Sequence, residues 1–278
     1  MKKWNLVIDV AKCFNCNGCA LACHDEYYGN EFPGYAAEMP KHQQRWINIL
    51  SRETGQMPMV EVSYLPVMCN HCDNPPCMKV AKNGAVVKRD DGIVLIIPEK
   101  ARGQREIVDA CPYKVAFWNE EKQLPQAWPF DAHLLDQGWT KTRGSQMCST
   151  QAMRTVHVTD EEMQELVKSE GLEVLSPEFG AKPRVYYRNL ARFFSVFIGG
   201  ALTHEVAGVV ECAAEVSVRL MQGGKLVGET KSDTYGEFRF SNLKPGSGAY
   251  ALHAGKSPQP LAVDLKEQSI YLGAIALA

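Results

Sequence analysis

The chain has 278 residues, 30 Lys and Arg against 32 Asp and Glu, a formal net charge of −2 and 45% hydrophobic residues. That length holds one large domain or two modest ones, and the composition is that of a chain able to bury a core. The balanced charge speaks against a nucleic-acid binder with its usual basic face, and no run reaches the roughly 18 apolar residues of a membrane span, residues 193–202 being about half that. The opening MKKWNLVIDVAKC has two lysines but no long apolar stretch and no small-residue cleavage site. It does not read as a secretory signal. The expectation is a cytoplasmic chain, or a periplasmic one exported alongside a partner that carries the signal.

A short strand at 5–10 runs straight into a cysteine-rich loop. Further on, Val86-Val87 and residues 93–97 flank Asp91-Gly92, and Asp-Gly between β-branched runs predicts a hairpin. Thr159 followed by Glu162 predicts a capping box. Met163, Leu166 and Val167 then recur at helical spacing up to a C-terminal Gly171. Composition shifts near residue 200, from cysteine, proline and tryptophan to small and β-branched residues. A boundary is placed between Ser195 and Glu205, giving domains 1–200 and 201–278. The second reads as short strands at 206–210, 215–221, 226–230, 237–240, 250–253, 261–265 and 269–272, with turn signals between them, the pattern of a β-sandwich.

Ten cysteines stand in this chain. A disulfide framework suits short secreted domains and fits poorly here. The cysteines bunch two to four residues apart, which is a ligand pattern. Cys13-x2-Cys16-x2-Cys19-x3-Cys23 has the run in which three closely spaced thiolates cap a cubane iron–sulfur cluster and the fourth ligand lies elsewhere. Structural zinc is the rival reading, since Cys-x2-Cys pairs also bind zinc. Cys69-x2-Cys72-x4-Cys77 is a second such loop, and Cys111, followed by Pro112, is a candidate fourth ligand. Cys212 lies in the strand-rich tail and reads as a core or semi-buried thiol. His24, His71 and His133 sit near the loops, where a histidine hydrogen-bonds sulfur or backbone more often than it binds iron. The cations around 100–105 and 182–192 read as solvated surface. There is no Ser–His–Asp set, phosphate loop or dinucleotide motif, so no substrate site is expected on this chain.

These loops, with the stretches DGIVLIIPEKA at 91–101, ACPYKVAFWN at 110–119, AHLLD at 132–136 and KPRVYYRNL at 182–190, resemble the iron–sulfur subunits of the dimethyl sulfoxide reductase family of molybdopterin enzymes. Within that family the resemblance is to the small subunits of the pyrogallol–phloroglucinol transhydroxylase branch. It implies an α+β fold, with ferredoxin-like cluster-binding domains followed by a small antiparallel β-sandwich. The run Asp233-x2-Gly236-x-Phe238-x-Phe240 resembles the transthyretin or carboxypeptidase-regulatory type of sandwich.

The family template holds up to four clusters, and this chain departs from it by whole sites. Ala81, Ala101, Gln104 and Ile107 stand where one set of four cysteines would be. Trp128, Asp131 and Gly144 replace three ligands of another, leaving Cys23 alone; Trp128 and Trp139 are expected to fill the volume. The surviving ligands close into Cys13, Cys16, Cys19 and Cys148 for one 4Fe-4S cluster and Cys69, Cys72, Cys77 and Cys111 for a second. The resemblance also implies a large catalytic partner subunit carrying bis-molybdopterin guanine dinucleotide and acting on hydroxylated aromatics, in a heterodimer or higher assembly. This chain would then carry electrons and have no catalytic residues of its own. A mainly structural subunit, with clusters as folding elements, and a free-standing ferredoxin-like carrier are the alternatives.

Overall fold

The structure, a computed structural model, describes residues 1–255, 257 and 259–277. In chain order the elements of the first part are β1 (Lys3–Asp9), α1 (Gly18–Tyr27), β2 (Ile47–Gln56), β3 (Met59–Met68), α2 (Pro76–Val80), β4 (Val86–Lys88), β5 (Val94–Ile96), α3 (Pro98–Ala101), α4 (Glu106–Asp109), β6 (Phe117–Asn119), β7 (Leu124–Gln126), α5 (Ala132–Asp136), α6 (Arg143–Met147), β8 (Met153–Val158), α7 (Asp160–Glu170) and β9 (Val185–Arg188). There follow α8 (Ala191–Phe194), β10 (Val196–Val206), β11 (Val209–Cys212), β12 (Ser217–Gln222), β13 (Lys225–Lys231), β14 (Glu237–Leu243), β15 (Gly248–Ala254), β16 (Leu261–Leu265) and β17 (Ile270–Ala276). Contacts divide them into two units. One is Met1–Ser51 with Tyr64–Leu190; the other is Arg52–Ser63 with the chain from Ala191 onward.

The first unit is organised by β1, which pairs antiparallel with β8 and parallel with β9. Alternation along β1 sends Val7 to one face, where it packs with Met163, Leu166 and Val167 of α7. Ile8, on the opposite face, lines a cavity among the cysteines. The expected cap is present: Thr159 Oγ1 accepts from the Glu162 amide at 3.3 Å, Glu162 Oε2 accepts from the Thr159 amide at 2.8 Å, and Gly171 ends the helix in the left-handed region at φ 60°. Thr159→Ala should destabilise the first unit by about 1 kcal/mol, read as a lower denaturant midpoint. Elsewhere the unit is loops clasped by three hairpins, β2–β3, β4–β5 and β6–β7. The β4–β5 pair is the hairpin expected around Asp91-Gly92.

The second unit has two four-stranded sheets, one of β11, β10, β14 and β17, the other in the order β13-β12-β15-β16. Ile198, Leu202, Phe238 and Phe240 of the first and Val218, Leu220, Leu252 and Val263 of the second form one hydrophobic core. Asp233 builds the turn before β14: its carboxylate accepts from the Tyr235 and Glu237 amides at 2.9 Å. Gly236 has φ 76°, and a Cβ there would collide with the Leu202 carbonyl oxygen, so glycine is required on both counts.

Three expectations for this unit need correction. The sheets are not wholly antiparallel, because β17 runs parallel to β10. Residues 206–210 are not one strand: Ala207 and Gly208 have positive φ and form the turn between β10, which ends at Val206, and β11, which begins at Val209. Cys212 is exposed rather than buried, because β11 pairs only with the end of β10 and all four of its residues face solvent. The central strand β10 takes up most of the apolar run at 193–202. Its first five residues are buried without alternation, and a strand covered on both faces carries no period-two signal. The tip of the β2–β3 hairpin completes the unit. Arg52 donates to the carbonyls of Phe193 and Ser195 at 2.8 and 2.7 Å, and buried Thr54 bonds Ser269 at 2.7 Å.

Candidate iron–sulfur sites

The loop ahead of α1 is shaped by two asparagines in the left-handed region, Asn15 at φ 61° and Asn17 at φ 59°. Asparagine tolerates that conformation better than other side chains, and Asn17 Nδ2 donates to the Asn15 carbonyl at 3.0 Å. The kinks turn Cys13, Cys16 and Cys19 to one small cavity, and Cys148, just past α6, joins them there. Helix α6 can come this close because Gly18 has no side chain: a Cβ would stand 3.1 Å from the Met147 carbonyl oxygen and 3.6 Å from Cys16 Sγ. The rest of the lining is Ile8, Phe14, Ile49, Pro66, Thr150, Ala152 and Met153, with no charged side chain. The Met153 amide donates to Cys148 Sγ at 3.4 Å. Burial is the main force raising the Cys13 and Cys19 thiols, the latter to about 12, and the neighbouring thiols add to it.

The second set forms where β3 ends. Cys69 and Cys72 flank a turn, Cys77 lies in α2, and Cys111 follows α4, which packs on α2. The turn is pinned to the segment before β9: Arg184 N donates to the Asn70 carbonyl at 2.8 Å, Asp73 N to Lys182 O at 2.8 Å and Asn74 N to Ala181 O at 3.0 Å. Burial, followed by the other thiols of the set, raises Cys72 to about 12 and Cys77 to about 11; Cys69 is raised well above the ordinary value. Lys88 pulls the Cys72 thiol the other way. Thiols held up like this ionise only when a metal takes the place of their protons.

Both sets suit an iron–sulfur cluster. The first offers four sulfurs around an apolar space, with an amide donor to one of them. Around the second, Asn70 Oδ1, His71 Nε2 and Tyr113 Oη are buried with no hydrogen-bond partner among the described residues; Tyr113, beside Cys72 and Cys111, can donate to sulfur, while the His71 ring packs edge-on against Trp128 and Phe130. His71 Nδ1 accepts from the Val94 amide at 3.1 Å, which leaves the proton on Nε2. Burial takes the His71 pKa down to about 3. Among the described residues no three His, Cys, Asp or Glu side chains form a group that could hold one metal ion. His24 bonds the Lys41 carbonyl at 3.3 Å, and His133 bonds Glu26 at 2.9 Å.

The replaced positions are gathered too, and filled. Ala81, Ala101 and Ile107 lie in one apolar core with Ala85, Val86 and Val94. The amide of Gln104 is occupied by backbone: it accepts from Lys82 N and donates to Lys100 O, at 2.8 and 2.7 Å. At the other vacated site Trp128 and Asp131 are both 0% exposed. The Asp131 carboxylate accepts from Tyr27 Oη at 2.8 Å, Trp128 Nε1 at 3.0 Å and the Arg143 amide at 2.8 Å. Cys23 is buried beside it, its thiol raised by burial and then by Asp131. A Cβ on Gly144 would meet Met153 Sδ at 3.1 Å and Cys19 Cβ at 3.4 Å. Trp128 is therefore the volume filler; Trp139 is only half-buried. Nothing in the sequence singles out Tyr27 or Lys88. Their types are ordinary in a helix and a strand, and only packing gives them a place here.

The 4Fe-4S dicluster domain family matches residues 60–158. The pyrogallol hydroxytransferase small subunit of Pelobacter acidigallici is 42% identical over the whole of both chains. A tetrathionate reductase subunit of Salmonella typhimurium is 31% identical, over 68% of this chain and 73% of its own length. The arsenate respiratory reductase iron–sulfur subunit of a Shewanella species is 32% identical, over 48% and 52%. No helix among the described residues is long and apolar enough to cross a membrane. The chain thus belongs to the iron–sulfur subunits of the dimethyl sulfoxide reductase family of molybdopterin enzymes, on the branch of the pyrogallol hydroxytransferase small subunit.

Proposed function

We propose that this chain carries two 4Fe-4S clusters, one on Cys13, Cys16, Cys19 and Cys148, the other on Cys69, Cys72, Cys77 and Cys111, and serves a large molybdopterin subunit acting on hydroxylated aromatics. The observation that supports the count is the state of the other template positions. Two complete cysteine sets persist, while the remaining positions hold an alanine and isoleucine core and a Trp128–Asp131–Tyr27 network. When bound, such clusters take up and release single electrons. The chain's own residues supply the thiolates, bury those of Cys19 and Cys72 and present amide and phenol donors to the sulfurs, all of which bear on the potential. The tail sandwich, of the transthyretin or carboxypeptidase-regulatory type, would serve contact with the partner or another copy of the complex. The complex is read as a cytoplasmic heterodimer or a higher assembly of heterodimers.

A second reading makes the clusters folding elements. It is favoured by the filled site at Trp128, since a chain of centres with members missing has longer gaps to cross. One experiment separates the readings. The subunit, purified with its partner and analysed for molybdenum and iron, is mixed with a phenolic substrate and freeze-quenched. Paramagnetic reduced clusters appearing during turnover support the electron carrier. Clusters that stay silent in an active complex support the structural reading, and a chain purified without a molybdenum-containing partner would overturn both.

A further inference from the structure

Strand alternation turns Val86 and Lys88 to the inner side of β4 and Val87 outward, as their burial follows. The Lys88 side chain is only 19% exposed. Its ammonium donates to the His71 carbonyl at 2.9 Å and the Gly92 carbonyl at 2.7 Å, and pairs with Asp73 at 2.9 Å. His71 and Asp73 are the residues on either side of Cys72. A positive charge is thereby fixed across the backbone of one ligand of the second set, with acceptors on three sides to stop it swinging into water. Among the described residues the first set has no counterpart: no charged residue lines its cavity, and Lys12, Lys141 and Arg188, in the groove outside Cys148, stand exposed to solvent.

We propose that Lys88 sets the potential of the second cluster, holding it more easily reduced than its four cysteines alone would make it, with Asp73 as the opposing charge. The inference rests on the two-cluster reading above. Reduction brings one electron from an external reductant onto the cluster, with no bond broken and no proton moved. A fixed cation stabilises that added charge by an energy that falls only as the inverse of distance, and burial weakens the screening. Asp73, an anion on the same loop, acts with the opposite sign. Lys88 would be a positioning residue: it touches the loop that carries the ligand.

The test is a mediated dithionite titration of the anaerobic holoprotein, followed by electron paramagnetic resonance. The second cluster's signal is identified as the one that Cys77→Ser abolishes. Lys88→Gln should make that signal at least about tenfold harder to reduce, a downward shift of about 59 mV for one electron, and leave the other signal in place. Lys88→Arg should keep the wild-type potential. Asp73→Asn should move the same signal upward. A merely structural role would shift Lys88→Gln and Asp73→Asn in the same direction, or not at all, and either result overturns the proposal, as does an equal shift of both signals. Should Lys88→Gln lose the cluster, the sign of the Asp73→Asn shift decides alone. A wild-type protein with no reducible iron–sulfur signal would sink the two-cluster reading instead, before any variant is made.

Discussion

Changing Cys111 to serine should halve the iron of the purified subunit. Two cubanes need about eight irons and eight sulfides per chain, on the rule of four thiolates to each. Cys77→Ser should act like Cys111→Ser, leaving about four irons and one paramagnetic signal. Cys16→Ser and Cys148→Ser should remove the other signal and spare this one. Cys23→Ser, Cys212→Ser and Asp131→Ala should leave the iron count unchanged. Cys23 is shut in beside Asp131, whose carboxylate already accepts three hydrogen bonds, and Cys212 is exposed on β11. Metal and sulfide analysis of these variants alongside the wild type checks this. About twelve irons per chain, or iron lost on changing Cys23, would show that the filled site still holds a cluster.

Arg184→Met should lower the stability of the first unit by about 2–4 kcal/mol, most of it from one neutral residue. The arginine is 2% exposed and bonds Asp73 at 2.6 and 2.7 Å, Asp160 at 3.0 Å and Asn5 Oδ1 at 3.1 Å. Asp73 and Asp160 are 37% and 45% exposed, so water can replace the guanidinium at both. Exposed pairs of that kind contribute at most about 1 kcal/mol each. Asn5 is 0% exposed, and losing its donor leaves a buried acceptor unsatisfied, at roughly 1–3 kcal/mol. Arg184→Lys should recover only part of the loss, because an ammonium cannot reach all three acceptors in the plane of a guanidinium. The guanidinium chloride midpoints of the anaerobic holoproteins should fall in the order wild type, lysine, methionine. Equal midpoints would mean that Asn5 finds another donor.

What the sequence revealed was local. The capping box at Thr159, the hairpin at Asp91-Gly92 and the turn at Asp233 each rest on side chains a few residues apart, so the motif and the geometry are the same information. The cysteine sets were legible for a related reason: three ligands of each lie in one short loop. Cys148 needed the family template, because nothing near it in the chain marks it as the partner of Cys13. Arg184 shows the converse. In a run of cations it read as surface, yet its partners Asn5, Asp73 and Asp160 are scattered along the chain and meet only in the fold. Strand β10 escaped notice because burial on both faces erases the alternation that marks a strand, and Cys212 misled because hydrophobic character predicts burial only where a second layer covers the strand.

The tip of the β2–β3 hairpin makes the second unit discontinuous. Thr54 belongs to Ser269 and Arg52 to the carbonyls at Phe193 and Ser195, so the polypeptide passes into this unit, out again and back. A fragment starting at residue 201 would therefore leave Ser269 without Thr54, and would lack the carbonyls that Arg52 holds and the first five residues of β10. The sheets are better excised as a graft, with residues 52–63 joined by a short linker ahead of residue 191, than by truncation. The same threading means that a single proteolytic nick between β9 and α8 would leave the two units joined through the hairpin strands.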